Sequence, residues 1–400
     1  MERPPALVGF ASAVVLVAGL LLILRTGGAR TPVADAAQPP LTVTTHLPEW
    51  RAPGVRVLVA GFAASREHIV LRADGRSVAS TTAGRFGRYV VRFAAARPGR
   101  YHLSIAGAGR SRQVGVLTVR PVVVEAVGDI TFGEQVGPAI ATHGAGYPWA
   151  GVARALRSAD VTTGNLETSV STRGVAAVKE YTFRGEPSAL APLASLAGFD
   201  VLTLANNHTV DYGRDALLDT VRHVRAAGIQ TIGAGVNAVQ ARRPAVIERG
   251  GLRLAFLGYS DVNPAGFTAT STAPGTAAAD VAAITDDVHA ALRRADVAVC
   301  FFHWGIELHA TPTSRQQLFA AACLNAGARL VLGAHPHVLG GLSRPTPRSL
   351  VAWTLGNFVF PSSGVTARTA ILRVDLDSRG VRAFRFLPVA IDGFRPRLQR

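Results

Sequence analysis

Pro121-Val122-Val123-Val124-Glu125-Ala126-Val127-Gly128-Asp129 passes from a β-branched apolar run directly into a glycine and a carboxylate. Val122 to Val127 predicts a buried strand, and open α/β sheets keep their chemistry just beyond such strand ends. The pattern recurs. Asp160 to Thr163 leads into Asn165-Leu166-Glu167, and Phe199 to Leu204 into Asn206-Asn207-His208. Val297 to Phe302 leads into His303-Trp304-Gly305, and Arg329 to Leu332 into Gly333 and His335-Pro336-His337. Carboxylates, amides and imidazoles gathered on one rim of a sheet are the ligand set of a metal site, and of a two-metal site if a carboxylate is shared.

The intervening segments have helical spacing: Pro148 to Ala159, Leu190 to Gly198, Arg214 to Ala227 with Gly228 as its stop, Ala277 to Ala295 and Ser314 to Ala326. This alternation predicts an α/β domain over residues 121–400. Strands at Leu350 to Thr354, Thr369 to Asp375 and Val381 to Pro388 are expected to complete a second sheet begun by Leu252 to Leu257.

Upstream, residues 41–120 change to short alternating runs: Val55 to Val59, Ile69 to Arg72, Arg88 to Phe93, Arg100 to Ile105 and Val114 to Val119. Turn signals such as Asp74-Gly75 and Pro98-Gly99 separate them, which predicts a small antiparallel, immunoglobulin-like sandwich. Residues 31–40 are Ala- and Pro-rich and read as a linker. Within residues 1–30, Ala6 to Leu24 carries no charge and is long enough for a ~30 Å hydrocarbon core, predicting a single-pass membrane helix. Ala34-Asp35-Ala36 has the look of a cleavage site near Ala36, which would release a secreted chain. It lies well past the apolar run, so an uncleaved anchor is expected.

A hydrophobic content of 48% in 400 residues supplies large cores and excludes a disordered chain. The net charge of +16 is almost wholly arginine, Lys179 being the sole lysine. Guanidinium forks suit a polyanion or an anionic membrane surface, although a solvated surface accounts for them equally well. Residues 41–120 hold thirteen arginines against Glu49, Glu67 and Asp74, so this unit is either the polyanion-binding part or a spacer. It has no aromatic ladder for stacking bases, and no nucleic-acid partner is expected. Cys300 and Cys323 read as small core residues. Serine-hydrolase elbows, dinucleotide fingerprints and Walker loops are absent from the sequence.

Read from the residues alone, Asp129 is a metal ligand or a turn carboxylate, and Glu167 can bridge two cations. His335 and His337 lie on one side of an extended segment that Pro336 keeps from helix, with Trp304 beside His303 expected as a wall of the site. The Asn207 carbonyl completes a metal shell without adding charge. His208 can move protons near neutrality, oriented by Asp211, which also fits a turn ahead of the Arg214 helix.

These motifs, with Tyr181-Thr182-Phe183-Arg184-Gly185, Ala205 to Gly213, His303 to Glu307, Gly333 to Val338 and Leu355-Gly356-Asn357-Phe358, resemble the CapA family of poly-γ-glutamate capsule synthesis proteins. The likeness runs from Val124 to Phe360 and implies a calcineurin-like αββα sandwich of metallophosphoesterase type. It implies that one or two divalent ions, Mn, Zn or Fe, are held by Asp129, Glu167, Asn207, His303, His335 and His337. In that scheme Asp129 and His337 hold the first ion, Asn207, His303 and His335 the second, and Glu167 bridges. His208 would be the general acid with Asp211, while Arg184, Asn165 and Asn206 would face substrate. Position 131 is Thr where phosphoesterases of this kind carry His, and Glu167 replaces their aspartate. The implied setting is the cell membrane, with the bulk extracytoplasmic, acting on an anionic polymer beside membrane-bound synthase subunits. A polymer-binding accessory protein that keeps its metal for structure is the alternative.

Overall fold

The structure, a computed structural model, describes residues 39–399. The expected membrane segment, Ala6 to Leu24, lies outside the described residues. Among those described, no helix is long and apolar enough to cross a membrane.

Residues 41–120 form two sheets over one core. Thr42–Val43, Val57–Phe62 and Arg88–Phe93 make one sheet; Trp50–Arg51, Arg110–Val119, Gly99–Gly107, His68–Ala73 and Arg76–Thr82 make the other. Strict alternation drives this packing: Val57 and Val59 point inward to meet Ile69, Leu71, Leu103, Ile105 and Leu117, while Leu58 and Phe62 point out. The hairpin from His68–Ala73 to Arg76–Thr82 turns on Asp74 (φ 50°) and Gly75 (φ 78°), the two positive-φ residues that a tight right-twisted hairpin requires. Tyr89 is buried, its hydroxyl donating to the Thr42 carbonyl at 2.6 Å, and burial pushes its pKa up to about 12.

The remainder is a four-layer stack, helix–sheet–sheet–helix. In the first sheet Gln230–Ile232, Val201–Thr203, Val161–Leu166 and Val122–Ile130 run parallel. Arg368–Asp377, Gly380–Asp392 and Arg395–Leu398 follow antiparallel, and Asn357–Val359 also pairs with Val122–Ile130. The second sheet has the order Ala245–Arg249, Leu252–Ser260, Val297–His303, Leu330–Ala334, Leu350–Ala352, Leu342–Ser343. This corrects one expectation. Leu350–Ala352 does join the second sheet, but the two long C-terminal strands return to the first, Arg368–Asp377 beside Val122–Ile130 and Gly380–Asp392 beyond it. A two-residue turn at Ser378-Arg379 pairs these strands locally, and pattern alone does not reveal which sheet such a hairpin extends.

Every second residue of the facing strands enters the core between the sheets: Val122, Val124 and Ala126 from one, Val297, Val299 and Phe301 from the other. Truncating a fully buried ring such as Phe301 costs ~3–5 kcal/mol. Arg214–Ala226 and Ala191–Ser195 cover the outer face of the first sheet through Leu217, Val224 and Leu193. Val281–Leu292 and Ser314–Asn325 cover the second through Ile284, Val288 and Phe319. Thr313 and Gln316 form a reciprocal capping box that starts the latter helix. The Pro148 to Ala159 expectation yields only a 3₁₀ turn, Tyr147–Trp149, and the short helix Ala153–Leu156. Gly151 lies between the two, at a position where a Cβ would press on the Pro396 carbonyl.

Cys300 and Cys323 are both fully buried and are joined in a disulfide between Val297–His303 and its covering helix. They are core residues as read, but not independent ones.

The sandwich packs against the ends at which the sheets begin. Ala52 donates its N–H to the Gly250 carbonyl at 2.9 Å, and a Cβ at Gly250 would fall on the Trp50 ring. Arg120 lies 3.7 Å over that ring and forks onto Asp160 at 2.7 and 2.8 Å.

Candidate metal centre

Parallel strands deliver their C-termini to one edge, and two stacked sheets deliver two such edges to one place. Asp129 closes Val122–Ile130, Asn165 and Glu167 follow on Val161–Leu166, His303 ends Val297–His303 and His335 follows Leu330–Ala334. His303 continues the row Val297, Val299, Phe301, so the parity that fills the core also aims the imidazole between the sheets. The two sheets touch directly here: the His335 N–H donates to Asp129 Oδ2 at 3.2 Å.

The ligating atoms of Asp129, Glu167 and His303 all lie within 4.8 Å of one another, as do those of Glu167, His335 and His337. Glu167 is common to both sets. Asn207 joins the first, its Oδ1 2.8 Å from His303 Nε2, and His337 Nδ1 lies 3.4 Å from Asp129 Oδ2. All six residues expected as ligands are therefore brought together.

Buried polar groups normally find partners. Here the Glu167 carboxylate is completely buried and, among the described residues, neither oxygen has a hydrogen-bond partner, nor does His335 Nδ1. Burial, followed by the charge of Asp129, pushes Glu167 up to about 8. Burial also pulls His303 down to about 3 and His335 to about 2, which leaves their rings neutral, the form that ligates. Asp129 resists its own burial: the hydrogen bond from His337 and the nearby charges hold it below the usual carboxylate range. Burial opposes protonation of His337 too, but Asp129 and Glu167 outweigh it and raise the ring to about 10. Without a metal, His337 holds a proton beside Asp129 and burial keeps one on Glu167; a divalent cation would displace both protons, at the point where two carboxylates, neutral imidazoles and an amide oxygen converge. That donor set fits a divalent cation, with Glu167 placed to touch two.

The backbone is bent to make this possible. His335 (φ 97°) and His337 (φ 59°) are both left-handed without being glycine, a strain that concentrates at working sites. A Cβ at Gly128 would collide with the Gly356 carbonyl, the same carbonyl that accepts the Asp129 N–H at 2.9 Å.

Around the ligands stands a shell of fixed amides. Asn165 donates through Nδ2 to Asp129 Oδ1 at 2.8 Å and lies 3.1 Å from His303 Nδ1. Asn206 donates to Asn165 Oδ1 and to the Leu166 carbonyl, while its own Oδ1 accepts from the N–H groups of His208 and Thr209. Both asparagines, expected to face substrate, are fully buried with their amides engaged by protein groups. Arg184 is turned elsewhere, stacked 3.6 Å over Tyr212 and donating to the carbonyls of Arg173 and Gly174. Trp304 is not a wall of the site. It stacks on Phe302 at 4.3 Å in the helix-covered core, because its parity is opposite to that of His303.

His208 sits at the edge of the cluster, with Nε2 4.0 Å from Glu167 Oε1 and Nδ1 2.7 Å from Asp211 Oδ2. Phe183 stacks on its ring at 4.1 Å. Asp211 is completely buried and also accepts from Lys179 Nζ at 2.6 Å and the Phe183 N–H at 2.7 Å. Lys179 and Asn357 are the residues that sequence reasoning did not place. Lys179 Nζ also donates to the Asn207 carbonyl at 2.6 Å, and Asn357 Oδ1 lies 2.7 Å from His337 Nδ1. The available signals were the uniqueness of Lys179 and the position of Asn357 in its motif. An open cavity of about 460 Å³ leads to this edge, lined by Lys179, Tyr181, Asn207, His208 and Glu307.

Over 295 residues, 72% of this chain and 77% of its relative, the sequence is 30% identical to the PGA biosynthesis protein CapA of Bacillus subtilis (strain 168). It is 29% identical to the capsule biosynthesis protein CapA of Bacillus anthracis over 279 residues, 68% of each chain. Among solved structures, a phosphatase from Mycoplasma pneumoniae superposes with a TM-score of 0.42 at 15% identity, covering 68% of this chain and 94% of that one, too distant to bear on activity. The model of the family described as bacterial capsule synthesis protein PGA_cap matches residues 123–362, from the first site strand to just past the last site residue, and the chain belongs to that family.

Proposed function

We propose that this protein works in the synthesis, export or attachment of a capsule-type anionic polymer of the poly-γ-glutamate class. In this reading it is a metal-dependent hydrolase or transferase acting on a phosphoester or an amide of that polymer. Its setting is the outer side of a membrane, with residues 6–24 as anchor and a membrane-bound synthase as neighbour. The polymer class comes from the relatives. The observation that carries the chemistry is the Glu167 carboxylate, fully buried and without a hydrogen bond, shared by two ligand sets.

Asp129, Glu167, Asn207, His303, His335 and His337 would hold one or two ions of the Mn, Zn or Fe kind. Such ions polarise the scissile group and activate water. The chain's own residues manage the proton. Asp211, fixed by Lys179 and the Phe183 N–H, accepts from His208 Nδ1 and stabilises the imidazolium. The proton on His208 Nε2 is then directed toward the cluster, where a leaving oxygen or nitrogen can take it. Phe183 keeps the ring from swinging.

Metal analysis of dialysed protein re-equilibrated with Mn²⁺ or Zn²⁺ should give at least one ion per chain; less than one at saturation overturns the metal reading. His208→Ala should abolish phosphodiester cleavage and polymer output while retaining metal. One observation favours the non-catalytic accessory reading. Thr131 offers no imidazole, its Oγ1 being used to accept the Gly133 N–H at 3.1 Å. Full polymer output from both His208→Ala and Asp129→Asn would decide for that reading.

A further inference from the structure

The three-stranded sheet of the sandwich has an outer face that nothing else among the described residues covers. Along Val57–Phe62 the exposed residues are Leu58 and Phe62, and the register sets Leu58 opposite Arg92 and Phe62 opposite Arg88. In the turn before Arg88–Phe93, Phe86 is 79% exposed with the Arg85 guanidinium 4.4 Å from its ring centre. Three large apolar side chains therefore stand in water among three arginines. The ion pairs of the sandwich, Glu67 with Arg110 and Asp74 with His102, leave those arginines out.

A single exposed phenylalanine is ordinary. Apolar side chains interleaved with guanidinium forks are different, because an anionic headgroup layer takes both: the rings enter the acyl boundary and the arginines meet phosphates. A hydrated polycarboxylate would satisfy the arginines but leave Leu58, Phe62 and Phe86 in water. The chain also enters the sandwich through this sheet, since Thr42–Val43 pairs with Gly61 and Phe62. The sixteen residues between Leu24 and Leu41 span at most about 55 Å when fully extended.

We propose that this face, Leu58, Phe62 and Phe86 with Arg85, Arg88 and Arg92, lies on the headgroups of the anionic bilayer that holds the N-terminal apolar run. The inference rests on the membrane reading above and adds a second, peripheral contact to it. The basic sandwich is then a foot on the membrane and not a polymer-binding arm.

The full chain, carrying a bimane label on Leu58→Cys, is bound to phosphatidylcholine vesicles with or without 30% phosphatidylglycerol, both containing a lipid quencher labelled near the headgroup. Cys300 and Cys323 are bonded to each other, so the label goes only to the introduced thiol. Quenching at Leu58 should at least double with phosphatidylglycerol, and 0.5 M NaCl or the Arg85→Gln/Arg88→Gln/Arg92→Gln variant should abolish it. A label at Val365→Cys, exposed beside the metal end, should not respond. Equal quenching at Leu58 and Val365 overturns the proposal, as does shielding of Leu58 by soluble polyglutamate or by self-association without lipid. Flotation with vesicles in 0.5 M NaCl reports the anchor separately, so either reading can fail while the other holds.

Discussion

The strand Val122–Ile130 has acids buried at both ends, and their company differs. Where the strand begins, the acids meet guanidinium: Asp160 meets Arg120 at 2.7 Å, and Asp377 meets Arg348 at 3.2 Å and Arg382 at 2.9 Å. Where it ends, Asp129 and Glu167 meet amides and imidazoles, and Glu167 has no hydrogen bond. Arginine is charged at any working pH, so the first arrangement is closed. His303 and His335 bring lone pairs and no charge, and the protons on His337 and Glu167 stand where a divalent cation would, so the second arrangement is open to a metal. Burial of an acid does not mark a site here; the kind of neighbour does.

Glu167→Gln breaks that contrast most directly. The change removes the anion common to both ligand sets, so Mn²⁺ or Zn²⁺ affinity should fall at least ~100-fold by calorimetric titration, about 2.7 kcal/mol. Metal-free protein at neutral pH should melt no lower than the parent, because burial makes Glu167 take up a proton on folding and Gln carries no such cost. A metal-free melting point depressed by several degrees would mean that Glu167 is structural after all, and that the two strand ends do not differ.

The contrast was partly legible in the sequence. Short apolar strands followed by Asp129, Glu167, His208, His303 and His335 gave both the α/β alternation and the ligand set, because the period of a buried strand fixes where its last side chain points. What pattern could not supply was pairing between distant strands. Asn357 acquires its place from the pairing of Asn357–Val359 with Val122–Ile130, more than two hundred positions away, and the two long C-terminal strands were given to the wrong sheet for the same reason. Lys179 sits in a stretch without periodicity, and only its contacts with Asp211 and Asn207 show what it does. Trp304 lies away from the site because alternation along the strand sends it to the face opposite His303. The Cys300 to Cys323 bond likewise depends on a helix lying over a strand, which neither residue announces.

Asp160→Ala tests the closed end. It removes the acceptor of the Arg120 fork and of the Val123 N–H, at the junction between sandwich and sheet. Because the Arg120 side chain is 41% exposed, the expected loss is only ~1–2 kcal/mol, read by urea unfolding. Metal uptake should be unchanged. A variant that unfolds normally but binds metal more weakly would show that the two ends are coupled through the strand.

The smallest effect is expected at Glu125, which lies between the two ends. Burial raises its pKa to about 7, and the charges of Arg373 and Arg385 only partly oppose this. A carboxyl whose folded pKa is raised favours the fold most while protonated, below its ordinary value near 4.5, and that contribution is lost as pH rises toward 7. Glu125→Gln has no such slope. Relative to the parent, the variant should therefore gain on the order of 1 kcal/mol between pH 4.5 and pH 8, in paired urea unfolding curves. A constant difference across that range would mean that Arg373 fully compensates the buried charge. Glu125 would then belong with the closed pairs, and the change in character along the strand would fall between Glu125 and Asp129.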